Sequence, residues 1–389
     1  MNGGRPIRVS FLIDSLSYAG TEMQLLALIR SLDQSRVLPS LVLLNGTSAE
    51  SRSLEPSDCP LLRLSLTSFR NLPATARAVT RLARFWKRQH VDVVQTYFLD
   101  STYFGVPLAR ALGIRRVVRV RNNLGHWLTP THRGLGRFIG RIVDATITNS
   151  QAGHDALRAA EGLPAEKLVV LENGVDVDRF AKLDLPRREN GVTVGVMANL
   201  RPVKGVDVLL RAASRMLSWR AGRVSDRRNL QAQAPVAYAP GSPIRFLIAG
   251  DGEQRIYLER LAQELQIADH VQFLGRIRNV TSFLSQIDLG VVPSHAEGMS
   301  NALLEFMAAG RPVIATEVGA NAQLLGHGSR GMLVQPGDEV ALADAIHQMV
   351  VDEALAARLA AAAQEYVQTY FDRKEMRYRF EDFYARLCA

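Results

Sequence analysis

Two cysteines in 389 residues, Cys59 and Cys388, are too few for a disulfide framework or a zinc site. So few thiols suit a reducing cytoplasm. No run of 18 apolar residues occurs, which excludes a membrane-spanning helix. Residues 1–10 lead into a short apolar run with no cleavage site, so no secretory signal is expected. Nucleic acid is not an expected partner either: there is no helix-turn-helix signature, no zinc finger and no aromatic-rich RNA-binding strand. The sequence has no G-x-x-x-x-G-K-[ST], and no G-x-G-x-x-G follows its first strand, so P-loop and dinucleotide chemistry are excluded. H-E-x-x-H and G-x-S-x-G are missing, and so is the D-x-D of a metal-dependent sugar-nucleotide enzyme.

What remains is an ordinary globular composition, 47% apolar and 22% charged, long enough for two cores. The net charge of +9 is unevenly placed: residues 1–180 carry 23 Lys and Arg against 15 Asp and Glu, the rest 24 against 23. A basic first half fits an anionic partner such as a membrane surface, or no more than a solvated basic face.

Strand and helix patterns alternate along the chain. IRVSFLI (7–13) is followed by a polar loop with Gly20 and by TEMQLLALIRSL (21–32), apolar on helical spacing. Further strands are predicted at 38–44, 91–97, 116–120 and 144–150. After a polar connector (171–190) the programme restarts with strands at 191–199, 244–250, 270–275, 288–294, 311–316 and 331–335. This alternation predicts α/β architecture with parallel sheets covered on both faces: two doubly wound, Rossmann-like domains over 1–185 and 186–371, with ligands bound at the carboxyl ends of strands. A mobile surface insertion is expected at about 220–242. The helical pattern within 372–389, with Met376, Phe380 and Phe383 on one side, is expected to pack back on the first domain.

Two loops carry chemistry. ANLRPVKG (198–205) ends a strand and opens a helix, placing Arg201 and Lys204 beside a helix N-terminus, where amides and dipole favour an anion. HAEGMSNALLEFMAAG (295–310) holds Glu297 and Glu305, with the amides of Gly298, Met299 and Ser300 able to meet the same anion. On one helix the two glutamates would lie roughly 12 Å and about 80° apart. Glycosidase carboxylates flank one bond at about 5 to 9.5 Å. The spacing suits two ends of an extended ligand better than an acid/base pair; capping and surface glutamates are the alternative.

The segment PSHAEGMSNALLEFMAAGRPVIATEVGA resembles the E-x7-E signature of the family-four retaining glycosyltransferases of GT-B fold. AGTE (19–22), NS (149–150), LENGVD (171–176), LRPVKG (200–205), IAGDGE (248–253) and FLGRI (273–277) resemble further family pieces in the right order, covering essentially the whole chain. The resemblance implies two Rossmann-like domains facing across a cleft. It implies that Arg201 and Lys204 bind a diphosphate, Glu305 the ribose hydroxyls and Glu297 the donor sugar. Gly298, Met299 and Ser300 would give amides to sugar and phosphate, Gly250 would stand at a strand end of the donor site, and Arg276 and Ile277 would frame the base. Gly20 would let its loop approach the diphosphate or acceptor. The histidine that many members carry near the fourth strand has three counterparts, Arg121, Asn123 and His126; Asp100 is another acceptor-side candidate. Asn199, Ala19 and Gln323 stand where many members have Arg, Gly and Glu.

The expected reaction is metal-independent transfer of a hexosyl unit from a nucleotide diphosphate sugar to a lipid-linked or saccharide hydroxyl, with the anomeric configuration kept and no cofactor. By resemblance the pathway is bacterial exopolysaccharide or lipopolysaccharide assembly, in the cytoplasm with peripheral contact to an anionic membrane. An epimerase or phosphorylase on the same fold, or a two-lobed sugar-binding protein without chemistry, are the alternatives.

Overall fold

The computed structural model describes residues 5–45, 48–122, 129–180, 183, 191–220 and 244–389. The insertion expected at about 220–242 falls almost wholly outside them, as do Asn123 and His126. The chain divides into two compact units, Met1–Gly174 with Arg373–Ala389, and Val175–Asp372. The division follows Gly174, ahead of the position near 185 read from the connector.

The first unit is a seven-stranded parallel sheet of β1 (Ile7–Ile13), β2 (Val37–Leu43), β3 (Leu61–Arg63), β4 (Val93–Tyr97), β5 (Arg116–Val120), β6 (Ala145–Thr148) and β7 (Leu168–Val170), ordered β3-β2-β1-β4-β5-β6-β7. The order reverses between β1 and β4, where Phe11 lies in register with Gln95. Val9, Phe11 and Ile13 enter one core, and Leu12 enters the other. That is why IRVSFLI ends in the unbroken apolar run Phe11-Leu12-Ile13 instead of alternating: helices cover both faces of the sheet.

One core joins helix Gly20–Ser31 to the C-terminal helix Arg373–Cys388 through Met376, Phe380, Phe383 and Tyr384. Each of these buried side chains contributes about 2 kcal/mol. The Tyr384 hydroxyl donates to Gln95 Oε1 at 2.9 Å in the sheet, and Arg36 pairs with Glu381 at 2.7 Å. The other core holds Ala78, Leu82 and Trp86 of helix Leu72–Gln89, Val106 and Ala109 of helix Leu99–Ala111, and Ile139 of helix Pro130–Ile142.

The second unit repeats the plan with six parallel strands: β8 (Val192–Met197), β9 (Ile244–Ala249), β10 (Val271–Gly275), β11 (Leu289–Val292), β12 (Val313–Thr316) and β13 (Met332–Val334), ordered β10-β9-β8-β11-β12-β13. The reversal here lies between β8 and β11, with Gly195 opposite Gly290. Val194 and Val196 face helices Val206–Arg220 and Glu339–Val351 in one core, while helix Asn301–Ala308 fills the other through Leu303, Leu304, Phe306 and Met307. Among the described residues no helix is long and apolar enough to cross a membrane.

Candidate active site

The carboxyl ends of β8 and β11 are neighbours at the reversal of the second sheet, the place where doubly wound sheets bind ligands. β8 runs into the turn 198–205. Arg201 precedes a single 3-10 turn, Pro202–Lys204, and Gly205 carries the chain into helix Val206–Arg220 with φ +60°. β11 runs into the loop 293–300, and the two loops are bonded together: the His295 amide donates to Val203 O at 2.8 Å.

This pairing brings two of the sequence candidates into contact. The Lys204 ammonium donates to Glu297 Oε1 at 2.6 Å, and Ser294 Oγ donates to the same oxygen at 2.8 Å. Glu297 is 9% exposed and Lys204 25%, so the pair is largely shielded from free solvent. The amides of Gly298, Met299 and Ser300 donate to no protein acceptor among the described residues. The Gly298 carbonyl accepts from Ala320 N at 3.0 Å, which fixes the strip of amides in place.

The premise that both glutamates share a helix does not hold. Ser300 is the N-cap, its Oγ accepting from Leu303 N at 3.3 Å, so the helix begins at Asn301. Glu305 lies on that helix, half-buried, while Glu297 belongs to the loop ahead of it. The capping serine separates the two carboxylates into different structural settings.

The remaining donor-side candidates surround these strands. Arg201 is exposed at the start of the turn. Gly250 follows β9 directly and donates its amide to Gly275 O at 2.7 Å, tying together the carboxyl ends of β9 and β10. Arg276 follows as an exposed residue, and Ile277 packs partly against the core beneath helix Asn301–Ala308.

In the first unit, Gly20 is the exposed first residue of helix Gly20–Ser31. Asp100 is exposed in the first turn of helix Leu99–Ala111. Beside it, Ser101 N donates to Asp14 Oδ1 at 2.7 Å across the reversal of this sheet; burial raises the Asp14 pKa, partly offset by its bonds from Ser101. Arg121 is buried at the end of β5, with its guanidinium 3.4 Å from Glu161 Oε1. Glu161 also pairs with the fully buried Arg119, which donates to Thr146 Oγ1 and Gly136 O at 2.9 Å each. Sequence reasoning missed Ser294 and Glu161. Ser294 lies within the signature segment, three residues ahead of the glutamate it bonds, while Glu161 sits in no motif and lies 42 positions from Arg119.

Residues 18–179 match the family description Glycosyltransferase Family 4, and residues 191–352 match Glycosyl transferases group 1. The chain is 36% identical over 321 residues, 79% of each chain, to the lipopolysaccharide core biosynthesis glycosyltransferase LpsD of Rhizobium meliloti. It is 29% identical over 327 residues to D-inositol 3-phosphate glycosyltransferase 2 of Catenulispora acidiphila, covering 76% of this chain and 71% of that one. Among solved structures, Anabaena Alr3699/HepE in complex with UDP and glucose superposes with a TM-score of 0.79 at 22% identity, over 98% of this chain and 100% of that one. Two Rossmann-like units, an ordered set of matching loops and these likenesses agree: the chain belongs to the family-four glycosyltransferases of GT-B fold.

Proposed function

We propose that this glycosyltransferase moves a hexosyl unit from a nucleoside diphosphate sugar to a hydroxyl of a lipid-linked or saccharide acceptor, in the assembly of a bacterial cell-envelope glycan. The observation that carries the reading is the grouping of a lysine ammonium, a glutamate carboxylate and three unbonded amides at the β8/β11 reversal. An ammonium and aligned amides suit a diphosphate; a carboxylate suits sugar hydroxyls. UDP-sugars are favoured over GDP-sugars because a structural neighbour binds UDP and glucose. The lipopolysaccharide-core enzyme among the relatives supports the pathway.

In this reading Arg201 and Lys204 bind the diphosphate, Glu297 the hexose and Glu305 the ribose. The bond from the anomeric carbon to the β-phosphate oxygen breaks as the acceptor oxygen attacks the same face. The acceptor proton passes to the departing phosphate oxygen, so the anomeric configuration is kept. Negative charge develops on the diphosphate, where Arg201, Lys204 and the amides of Gly298, Met299 and Ser300 stabilise it in the role a metal fills elsewhere. Arg121 and Asp100 are acceptor-side groups of the first unit. Its basic helices dock on an anionic bilayer that presents the acceptor, placing the enzyme peripherally on the cytoplasmic membrane.

The test is a panel of UDP- and GDP-sugars in EDTA, with and without lipid-linked acceptors, following nucleotide release and the anomeric proton coupling of the product by NMR. One donor giving nucleoside diphosphate and an anomer matching that donor is expected. Inversion, a requirement for added metal, or nucleotide release that depends on inorganic phosphate would each overturn the reading.

A further inference from the structure

We infer that Ser294 and Thr316 are positioning residues that aim the Glu297 carboxylate, an inference that rests on the proposed role of Glu297 as the sugar-binding group. Ser294 is 2% exposed at the carboxyl end of β11, and Thr316 is 1% exposed at the end of the adjacent β12. The Ser294 hydroxyl is not spent on a helix cap or a nearby carbonyl. It donates to Glu297 Oε1, the oxygen that also accepts from Lys204. Two donors on one oxygen fix the carboxylate's rotation and leave Oε2 with no protein donor among the described residues, free for a sugar hydroxyl.

Thr316 holds Ser294 in turn, its Oγ1 donating to the Ser294 carbonyl at 2.6 Å. The Thr316 carbonyl accepts from the fully buried Asn321 amide at 3.0 Å. Immediately beyond, Gly319 lies at φ +55°, and a Cβ there would come within 2.0 Å of the Glu297 carbonyl. Backbone contact therefore clamps the loop on one side while the Asn321–Thr316–Ser294 relay sets the side chain on the other. The relay is uncharged, so it orients Glu297 without competing with Lys204 for its charge. Precise aim of a binding group by neighbours locked in packing is what sustains selectivity among closely similar hydroxyl patterns.

A merely structural role would disturb the whole loop, including the amides proposed to bind phosphate. The two roles separate when nucleotide affinity and sugar turnover are measured on the same variants. The probes are UDP by calorimetry and UDP-glucose turnover, or GDP and GDP-mannose if the panel selects guanosine. For Ser294→Ala, kcat/KM for the sugar nucleotide is expected to fall about tenfold, carried mainly by kcat, with less than a twofold change in nucleoside diphosphate affinity. Ser294→Thr keeps the hydroxyl and is expected to recover most of the loss. Thr316→Val is expected to lower kcat/KM in the same sense and to be non-additive with Ser294→Ala, since both act through one contact. Unchanged turnover in Ser294→Ala, or nucleotide affinity falling in step with turnover, would overturn the inference. Glu297→Gln serves as the reference: if it lowers turnover and Ser294→Ala does not, the relay fails while the Glu297 role stands. If Glu297→Gln itself turns over like the parent, the sugar-binding role fails and takes the relay with it.

Discussion

At the scale of single residues, Gly205 determines whether the lysine and the carboxylate can meet. Its φ of +60° lies in the left-handed region, and a Cβ would fall 2.1 Å from the carbonyl oxygen of Pro293, a backbone atom that cannot swing aside. The absence of a side chain therefore lets the 198–205 turn and the 293–300 loop approach until His295 N reaches Val203 O and Lys204 reaches Glu297. Gly205→Ala incurs the left-handed penalty of about 1–2 kcal/mol and also pushes the two loops apart. The expected result is a protein with a lowered Tm whose kcat/KM falls at least tenfold, whereas Lys204→Met loses activity with Tm nearly unchanged. Parent-like activity in Gly205→Ala would show that close approach of these loops is not needed.

Among the elements, the helices of the first unit depend on a buried charge network that no local pattern announces. Arg119 of β5, Glu161 at the end of helix Gln151–Glu161 and Arg121 meet beneath helix Pro130–Ile142. That helix comes so close at Gly136 that a Cβ would lie 2.5 Å from Glu161 Oε1. Desolvation pulls the Arg119 pKa down, with the Glu161 charge opposing it. Glu161→Gln leaves two buried guanidiniums without their counter-charge, and a loss of about 3–5 kcal/mol is expected in urea unfolding. A loss under 1 kcal/mol would mean that water reaches the cluster. Arg119 and Glu161 are 42 positions apart, and only the sheet order makes them neighbours. By contrast, β1, β4, β8 and β11 are readable directly because strands buried on both faces are rich in apolar and β-branched residues. β3 and β7 were missed: each has three residues at one edge of the sheet, too short for any periodicity to register. The site divides the same way. Arg201, Lys204, Glu297 and the glycine-led amides stand out as loops opening helices, while Ser294 and Thr316 acquire meaning only once β11 and β12 lie side by side.

For the whole molecule, the uneven charge resolves into one face of the first unit. Helices Leu72–Gln89 and Pro130–Ile142 share a core on the same side of the sheet, and neither contains an acidic residue. Arg77, Arg81, Arg84 and Arg88 are exposed at helical spacing along the first, and Arg133, Arg137 and Arg141 along the second. Apolar side chains stand among them: Leu72 is 74% exposed and Phe138 55%, with Phe69 stacked on Phe104 at 5.7 Å. Arginines on two helices that contain no acidic residue, beside protruding aromatic and leucine side chains, match an anionic bilayer, whose surface attracts each basic group by about 1 kcal/mol and whose interface accepts the apolar ones. A nucleic acid would share the charge preference but not the use for Leu72 and Phe138. The chain is therefore expected to sediment with vesicles containing phosphatidylglycerol and not with phosphatidylcholine alone. Changing Arg77, Arg81 and Arg84 together to Gln is expected to weaken that binding by roughly a hundredfold, from about 1 kcal/mol at each position. High salt shortens the Debye length to about 3 Å and should release the parent protein in the same way. Phe138→Ser should loosen binding without changing its salt dependence, and none of these changes should alter turnover of a soluble acceptor. Equal sedimentation with neutral and anionic vesicles would refute a charge-guided dock and leave the basic face as ordinary solvated surface.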